Sequence, residues 1–371
     1  MKPDPTLVVD AAAVATIVGE IGIGPLYDLA IERLTEVLTS AGPAPAAPPA
    51  PSPPASAEMK ARDGFLLTAP RLGLLEWMPA VRHGATVSMK LVGYHPHNPV
   101  KNQLPTILST LLAFDVDSGH LRAIVDGTFA TAVRTGAASA LATRTLARPG
   151  GSVLGLVGCG AQAVTQLHAL ARVLPLTEVL VCDSDIRAET TFAARARVPE
   201  GLVRVAERAE VEERADVLCT ATSVAPAQGP VIQGTALRPW AHINAVGSDM
   251  PGKTELPVDL LRHAVVVPDH REQAVAEGEC QQLRPDEIGP CLPELLNDPG
   301  RQRELRGLRT VYDSTGLALQ DLVMVELLEE LALDVGAGER LVIEATAHDP
   351  QDPYGFLPES VTRACWPAEE V

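Results

Sequence analysis

The sequence predicts an α/β protein in which a parallel sheet covered by helices is inserted into a second, discontinuous α+β domain. Three observations lead to this fold class. A β-branched run at residues 153–157 ends in a glycine-rich turn that opens a helical pattern. Strand and helix patterns then alternate to about residue 313, as in parallel α/β sheets. Strand and turn patterns precede this region and a helix follows it, so residues 1–130 and 325–371 are assigned to one domain and residues 131–324 to the other.

Composition excludes several function classes. A chain of 371 residues suffices for about two domains with buried cores. The net charge of −17 provides no basic face for nucleic acid or an anionic membrane, so neither is expected as a partner. The six cysteines lack metal-ligand spacing, so no metal is expected. Asp4 and Asp10 precede any long apolar run, which argues against a secretory signal and favours a cytoplasmic location.

The region before the glycine-rich turn is predicted to hold one helix, a loop and several strands. Apolar residues recur at helical spacing over Pro25–Leu38. Seven prolines in Pro43–Ala57 predict an extended loop, because proline removes a backbone donor. The remaining predicted elements are strands at Leu72–Met78, Thr86–Val92, Thr106–Phe114 and Leu121–Val125, a hairpin turn at 117–119, and helices at Ala130–Leu146 and Leu317–Leu331, with a loop-rich tail from Ala345.

The turn after the first strand of the inserted domain has the pattern G-x-G-x-x-A, formed by Gly158, Gly160 and Ala163. It lies between a strand and the helical pattern Ala161–Val173, the context in which a pyrophosphate sits on a helix N-terminus. A second strand, Glu178–Cys182, ends at Asp183, whose carboxylate is suited to the ribose hydroxyls of NAD. A glycine motif alone could be a simple turn, but this combination predicts a Rossmann nucleotide-binding domain.

Several further segments resemble the ornithine cyclodeaminase/μ-crystallin family, in order and at consistent spacing over about residues 60–330. Within the family they are most similar to its bacterial lysine-cyclising members. The segments are residues 76–79 (EWMP), 89–94 (MKLVGY), 132–138 (AVRTGAA), 158–163 (GCGAQA), 243–256 (INAVGSDMPGKTEL), 277–282 (EGECQQ) and 313–316 (DSTG).

The resemblance implies a reaction with an internal redox cycle. NAD⁺ oxidises the α-carbon of L-lysine to an imine, the distal amine attacks this carbon, ammonia leaves, and the cyclic imine is reduced to L-pipecolate. The cofactor ends as it began. Such chemistry needs cations for the carboxylate, a base for the amines and a pocket that excludes water.

Four residues are candidates for binding the substrate carboxylate and amines. Lys90 lies in an apolar strand, where a lysine is otherwise an edge residue. Arg134 is a planar donor suited to a carboxylate or a pyrophosphate, although a surface helix charge is the alternative. Arg62 is placed only by its distance from Glu76, and an ordinary loop arginine remains possible. Glu76 would orient a substrate amine or hold one of these three carboxylate-binding cations, which we call the clamp cations; a structural salt bridge is the alternative.

Asp249 is the predicted acid–base group. It ends Ala245–Asp249, which has the pattern of a buried strand at the carboxyl edge of the sheet, where ligands bind in open α/β folds. A turn or N-cap aspartate before Pro251 is the alternative. The family's catalytic aspartate falls in this segment, and its carboxylate would accept a proton from the α-ammonium group.

The remaining contacts carry over from the resemblance, although each residue alone could be a turn or cap. Thr315 is expected near the substrate. The expected cofactor contacts are Thr106, Arg134, Gly158, Gly160, Ala161, Gln162, Asp183, Thr222, Asn244, Ala245, Val246, Gly247, Lys253 and Ser314.

Other functions on this scaffold stay open from the sequence. They are ornithine cyclodeamination, amino-acid dehydrogenation or imine reduction, and non-enzymatic binding as in the crystallin branch. Lysine and ornithine differ by one methylene, which a pocket distinguishes by only about 1–3 kcal/mol. The family resemblance also implies a homodimer formed through the non-Rossmann domain.

Overall fold

A computed structural model describes residues 5–41, 56–67, 72–347, 349–358 and 361. The predicted proline-rich loop lies outside the described residues except for its end, where Ala57 begins a strand. The described chain forms two sheets with their helices.

The strands are, in chain order, β1 (Thr6–Val9), β2 (Ala57–Met59), β3 (Asp63–Leu67), β4 (Gly73–Arg82), β5 (Thr86–Tyr94), β6 (Ile107–Asp115), β7 (Leu121–Asp126), β8 (Val153–Val157), β9 (Glu178–Cys182), β10 (Val203–Val205), β11 (Val217–Thr220), β12 (His242–Ala245), β13 (Val265–Pro268), β14 (Thr310–Asp313) and β15 (Glu339–Leu341).

The helices are α1 (Ala11–Ile21), α2 (Ile23–Ala41), α3 (Asn98–Lys101), α4 (Gly127–Leu146), α5 (Ala161–Leu170), α6 (Ile186–Thr190), α7 (Phe192–Ala196), α8 (Arg208–Arg214), α9 (Val258–Arg262), α10 (Arg271–Glu277), α11 (Leu292–Leu296), α12 (Pro299–Leu305) and α13 (Ala318–Val335). Two short 3-10 helices lie at Glu279–Gln282 and Pro285–Glu287.

The first sheet is mixed and contains strands from both ends of the chain. Its order is β15-β1-β7-β6-β5-β4-β2, with β3 also pairing with β4, and only the β1–β7 pair is parallel. The sequence pattern ended β4 at Pro79, but the strand continues to Arg82. The Pro79 carbonyl accepts the N–H of Lys60, which lies between β2 and β3. The side of Pro79 that lacks an N–H therefore faces the gap between these two strands, where no ladder hydrogen bond is lost.

Successive side chains on a strand of the first sheet point to opposite faces, and one of these faces is buried while the other is exposed. On β5, Ser88, Lys90 and Val92 are buried while Val87 and Leu91 are exposed. Helix α13 packs against the buried face, and its residue Asp321 contacts Lys90. The buried face therefore carries a charged pair in the core.

The second sheet is entirely parallel, in the order β10-β9-β8-β11-β12-β14-β13. From β8 the chain adds successive strands toward one edge of the sheet, and from β11 it adds them toward the other edge. This switch in strand order creates a crevice at the carboxyl ends of β8 and β11. The predicted Rossmann fold is confirmed by this topology and by the similar structures described below.

Helix α4 connects the two sheets. It is buried along most of its length, and small residues allow close approach: a Cβ on Gly136 would lie 2.7 Å from the Thr165 carbonyl oxygen of α5. On its other side, Thr143 accepts a hydrogen bond from Asn244 of β12 at 2.9 Å. The predicted domain boundaries, after residues 130 and 324, fall inside α4 and α13.

The structure differs from the sequence-based prediction at two places. Helix α1 was not predicted; it is capped by the Asp10 side chain and separated from α2 by Gly22, which adopts a φ of +84°. Strand β12 ends at Ala245, so Asp249 lies in the following loop rather than at a strand end. The Val246 N–H still donates to the Thr220 carbonyl at 3.0 Å, whereas the Gly247 N–H donates to the Glu255 side chain at 2.9 Å, so pairing with β11 does not continue to Asp249.

Among the described residues, no single helix is long and apolar enough to cross a membrane. Helices α1 and α2 together have the necessary length and apolar composition, but they are bent by 98° relative to each other. The same residues contain no cluster of histidine, cysteine and carboxylate side chains suited to a metal ion. Cys159, Cys182 and Cys219 are buried free thiols.

Candidate active site

A cleft of about 2090 Å³ runs along the carboxyl ends of β8, β9 and β11. Most residues expected to contact the cofactor line it: Thr106, Gly158, Gly160, Ala161, Gln162, Asp183, Thr222, Val246, Gly247 and Lys253. Asp249 lies at the same cleft. The strand-end loops therefore place the nucleotide motif and the predicted acid–base residue on one surface.

The glycine turn is shaped for a phosphate group. Gly158 adopts a φ of +94°, and a Cβ there would lie 2.7 Å from the Ala221 carbonyl oxygen. At Gly160 no heavy atom lies within 4 Å of the Cβ position, so the backbone faces open space. Gly160 has no side chain with which to cap α5, so the first N–H groups of this helix remain available to an anion. These residues fit a dinucleotide pyrophosphate.

Asp183 stabilises the same turn from the neighbouring strand. Its carboxylate accepts the Cys159 N–H at 2.6 Å and the Asp185 N–H at 2.8 Å. Arg195 adds a hydrogen bond to the Cys159 carbonyl at 2.6 Å. Four arginines also line the cleft: Arg187, Arg195, Arg204 and Arg208.

Asp249 forms an ion pair with Lys253 at the edge of the cleft. The two charged atoms are 2.8 Å apart, and the Lys253 side chain is 2% exposed whereas that of Asp249 is 31% exposed. Burial alone would lower the pKa of Lys253, but the charges of Asp249 and Tyr94 outweigh it and raise this pKa above its usual value. Lys253 therefore stays protonated beside the Asp249 side chain.

A cluster of buried charges lies beside Asp249. Arg62 forms ion pairs with Glu277, at 3.1 Å between the charged groups, and with Glu76, at 3.6 Å. Burial raises the pKa of Glu277 to about 7, with Arg62 opposing this shift and Glu76 adding to it. The Asp249 charge is close enough to raise the pKa of both Glu76 and Glu277. The acid–base residue thus adjoins two carboxyl groups and an arginine.

The second half of this cluster is centred on Asp321 of α13. Lys90 lies 2.8 Å from one oxygen of this carboxylate and Arg134 lies 3.4 Å from the other. Arg134 also donates to the Gln320 side chain at 2.8 Å. Burial lowers the pKa of Lys90 to about 8, although Asp321 opposes the shift. Three predicted clamp cations therefore lie together, each paired with a carboxylate.

The loop after β14 completes the cluster through its backbone. Arg62 donates to the carbonyl groups of Thr315 and Gly316 at 2.8 and 2.5 Å. The N–H groups of both residues and the Thr315 hydroxyl all donate to buried Asp269. Thr315 thus contacts a clamp arginine, but its hydroxyl faces Asp269.

Four expected cofactor contacts are not placed at the cleft. Asn244 is fully buried and its amide bonds Thr143, while Ala245 is also fully buried within β12. Ser314 is buried behind Ala245, to whose carbonyl its N–H donates. Arg134 lies in the charge cluster. The corrections for Asn244, Ala245 and Ser314 share one cause, because β12 and β14 are inner strands of the sheet, whereas Arg134 lies on α4.

Sequence reasoning missed Glu277 and Asp321 as members of the site. Glu277 stands in a segment that carries the family resemblance, and this was the available signal. Asp321 interrupts the apolar pattern of α13, but an acidic residue in a first helical turn is common for reasons unrelated to function.

The arrangement agrees with comparisons to known proteins. The model of the ornithine cyclodeaminase/mu-crystallin family matches residues 61–336. The chain belongs to this family.

Two similar proteins illustrate the range of this family. The L-lysine cyclodeaminase of Streptomyces rapamycinicus is 44% identical over 297 residues, which cover 80% of this chain and 86% of that protein. A solved lysine cyclodeaminase, described with recognition of L-lysine, L-ornithine and L-2,4-diaminobutyric acid, is 43% identical with a TM-score of 0.87, and the match covers 95% of this chain and 99% of that one.

A third relative has a different activity. An archaeal alanine dehydrogenase dimer with bound NAD is 30% identical with a TM-score of 0.77, and the match covers 91% of this chain and 99% of that one. The scaffold of this cyclodeaminase family thus also supports net oxidation of an amino acid.

Proposed function

We propose that this protein is an NAD-dependent cyclodeaminase that converts L-lysine to L-pipecolate and ammonia. The observation that carries the proposal is the position of Asp249, between the nucleotide cleft and a buried cluster of three cations and three carboxyl groups. Its similarity to lysine cyclodeaminases favours lysine as the substrate. In this proposal residues 131–324 form the cofactor-binding domain.

The cofactor would lie in the cleft along the carboxyl ends of the strands. The N-terminus of α5 would hold the pyrophosphate, and Asp183 would receive the ribose hydroxyls. When bound, the nicotinamide supplies a reversible oxidation of the substrate α-carbon. Thr222, Gly247 and Lys253 line the cleft near Asp249 and would enclose this half of the cofactor.

The cations of the cluster would bind the substrate carboxylate. Arg134 and Lys90 contact the same Asp321 carboxylate, so they converge on a point where a second carboxylate would be attracted. Arg62 would contribute a third positive charge and is held by the Thr315 and Gly316 carbonyl groups. Because these groups are already fixed by neighbours, little side-chain entropy is lost on binding.

Asp249 would transfer protons at the substrate nitrogen atoms. Its carboxylate, which pairs with Lys253, accepts a proton from the α-ammonium group, which must be neutral before the α-carbon is oxidised. Once this proton has passed to solvent through the cleft, the carboxylate accepts a proton from the distal ammonium group, and the free amine attacks the α-carbon. Asp249 then returns a proton to the α-nitrogen, which leaves as ammonia. The exposed 31% of its side chain faces the cleft.

Glu76 and Glu277 distinguish a diamino acid from a simple amino acid. A substrate with two ammonium groups brings an additional positive charge into a buried site, and these two carboxyl groups lie beside Asp249 to receive it. Their burial also excludes bulk water, which would hydrolyse an imine before the ring closes.

The exposed face of the first sheet supports assembly as a homodimer. Leu75, Leu91 and Leu108 are 45%, 42% and 38% exposed on adjacent strands, and Phe65 stacks edge-on against Trp77. A continuous apolar surface on a folded protein marks an interaction site. Sedimentation analysis should give twice the chain mass.

An assay of L-lysine, L-ornithine and L-alanine with catalytic NAD⁺ tests the proposed function. Lysine should be turned over many times per cofactor, with release of ammonia and no accumulation of NADH. Faster turnover of ornithine would change the assigned substrate. One-for-one formation of NADH, with alanine as the preferred substrate, would identify a dehydrogenase instead.

A further inference from the structure

Glu255 is a fully buried carboxylate outside the charge cluster. Its Oε1 accepts the Thr222 N–H and the Thr222 hydroxyl, both at 2.7 Å. Its Oε2 accepts the Thr220 hydroxyl at 2.6 Å and the Gly247 N–H at 2.9 Å. One side chain therefore receives four hydrogen bonds from the ends of two neighbouring strands, β11 and β12.

The two backbone donors belong to the loops that line the nucleotide cleft. Both Thr222 and Gly247 border the cleft, whereas Glu255 itself does not. A Cβ on Gly247 would overlap the Glu255 carboxylate, so glycine is required for this close approach. Glu255 thus fixes the separation of two cleft-lining loops from behind.

Glu255 is itself fixed by a second buried carboxylate. Glu279 accepts the N–H groups of Glu255 and Leu256 at 2.6 and 3.3 Å. Asp313, at the end of β14, in turn accepts the N–H groups of Glu279 and Cys280, both at 2.8 Å. Asp313, Glu279 and Glu255 thus form a series from the centre of the sheet to the cleft. Asp313 accepts backbone N–H groups at Glu279, Glu279 accepts them at Glu255, and Glu255 accepts them from the cleft-lining loops.

We propose that Glu255 is a positioning residue for cofactor binding, which holds the Thr222 and Gly247 loops at the spacing that the nicotinamide half of NAD needs. This inference rests on the proposed cofactor. Glu255 acts through the backbone of these loops, and it is not a catalytic residue.

A substitution of glutamine for Glu255 tests this role because it preserves size and shape. The Thr222 and Gly247 N–H groups point at different carboxylate oxygens. Whichever way a glutamine amide is turned, its NH₂ group faces one of these backbone donors, and that donor loses its acceptor. A buried N–H without an acceptor costs about 1–3 kcal/mol, so one loop must move.

Glu212 provides the matched control. It is also a buried glutamate whose two oxygens accept backbone N–H groups, from Gln233 at 3.0 Å and Gly234 at 2.7 Å. These two residues do not border the cleft. Glu212→Gln should therefore reproduce the loss of folding stability without the effect on the cofactor.

The experiment measures the NAD⁺ dissociation constant by calorimetry, and the melting temperature without ligand, for the wild type, Glu255→Gln and Glu212→Gln. Both variants should melt at lower temperature, whereas only Glu255→Gln should bind NAD⁺ about tenfold or more weakly. Its KM for NAD⁺ should rise by a larger factor than its kcat falls. Equal NAD⁺ affinity of Glu255→Gln and the wild type, or equal weakening in both variants, would overturn the positioning role. A wild type that does not bind NAD⁺ would instead contradict the proposed function.

A milder variant covers the case in which Glu255→Gln does not fold. Thr220 is fully buried, does not border the cleft and donates only its hydroxyl to Glu255. Thr220→Val keeps the side-chain shape and removes this donor, so NAD⁺ binding should weaken several-fold. An unchanged dissociation constant in folded Thr220→Val would overturn the proposal.

Discussion

The two ends of the site are built from different chemical groups. At the cofactor end, a glycine turn, a helix N-terminus and two strand-end loops present mainly backbone groups, and carboxylates such as Asp183 and Glu255 hold them in place. At the substrate end, charged side chains from β4, β5, α4, α10 and α13 meet in a buried cluster. Asp249 lies where the two ends join.

The difference shows how each end achieves specificity. Backbone groups recognise a phosphate by position and carry little charge of their own, so local sequence suffices to build them. Buried charges have a large desolvation cost unless each is paired, so the substrate end holds three cations beside three carboxyl groups even without a ligand. Changes at the substrate end should therefore affect stability and catalysis together.

Asp249→Asn should have the largest effect, and it separates the two ends. We expect kcat to fall by about 10²–10⁴-fold or more, because the amide cannot accept the substrate proton. NAD⁺ affinity should remain within about twofold of the wild type, since the groups that would hold its phosphates are unchanged. Steady-state kinetics and calorimetry provide the measurements.

Asp259→Asn is the control for this change. Asp259 is an exposed carboxylate on α9 and should be dispensable for turnover. Near-normal kcat in Asp249→Asn would remove this residue from the mechanism.

Lys90→Met should impair both stability and substrate binding while leaving the cofactor end intact. Its removal leaves the Asp321 carboxylate with Arg134 at 3.4 Å as its remaining cation, and we expect a loss of about 3 kcal/mol in the free energy of unfolding. kcat/KM for lysine should fall by about 10²-fold or more. Urea unfolding and kinetics at saturating NAD⁺ measure the two effects.

The double variant Lys90→Met/Asp321→Asn sharpens this comparison. Removal of both charges should recover part of the unfolding free energy, because no carboxylate is then left short of a partner. It should recover none of the kcat/KM. Full recovery of activity would mean that Lys90 serves only to neutralise Asp321.

The pKa of Glu277, raised from 4.5 to about 7, predicts a pH-dependent stability at the substrate end. Between these values the unfolded chain has lost the Glu277 proton and the folded chain retains it, so stability falls as pH rises through this window. Over the window the wild type should lose about 3 kcal/mol more than Glu277→Gln in urea unfolding. Parallel curves for both proteins would show that Glu277 titrates normally.

Asp183→Ser should give the smallest effect, at the cofactor end. The wild type should bind NAD⁺ more tightly than NADP⁺, because a carboxylate at this position repels a 2′-phosphate. The substitution should reduce the ratio of NAD⁺ affinity to NADP⁺ affinity by about tenfold or less. It should also weaken NAD⁺ binding, since the Cys159 N–H loses its acceptor. Asp185→Ser, in the same cleft, is the control; tighter NADP⁺ binding by the wild type would contradict the assignment.

The contrast between the two ends also explains what the sequence could predict. Gly158, Gly160 and Asp183 lie within one strand–turn–helix–strand unit, so their spacing in sequence determines their arrangement in space. Lys90, Arg134 and Asp321 are brought together only by the packing of α4 and α13 against the first sheet, which no local pattern encodes. Asn244 and Ser314 are buried and do not line the cleft, and the sequence could not show this because the residue at which a strand ends depends on its neighbours in the sheet.

The most direct test of the internal redox cycle uses labelled L-lysine with catalytic NAD⁺. With deuterium at the α-carbon, the pipecolate formed should keep its label, because the hydrogen removed from that carbon is returned to it. With heavy nitrogen at the α-position, the label should leave as ammonia, and no NADH should accumulate. Labelled nitrogen in the ring would mean that the ε-carbon is oxidised instead, and would contradict the account.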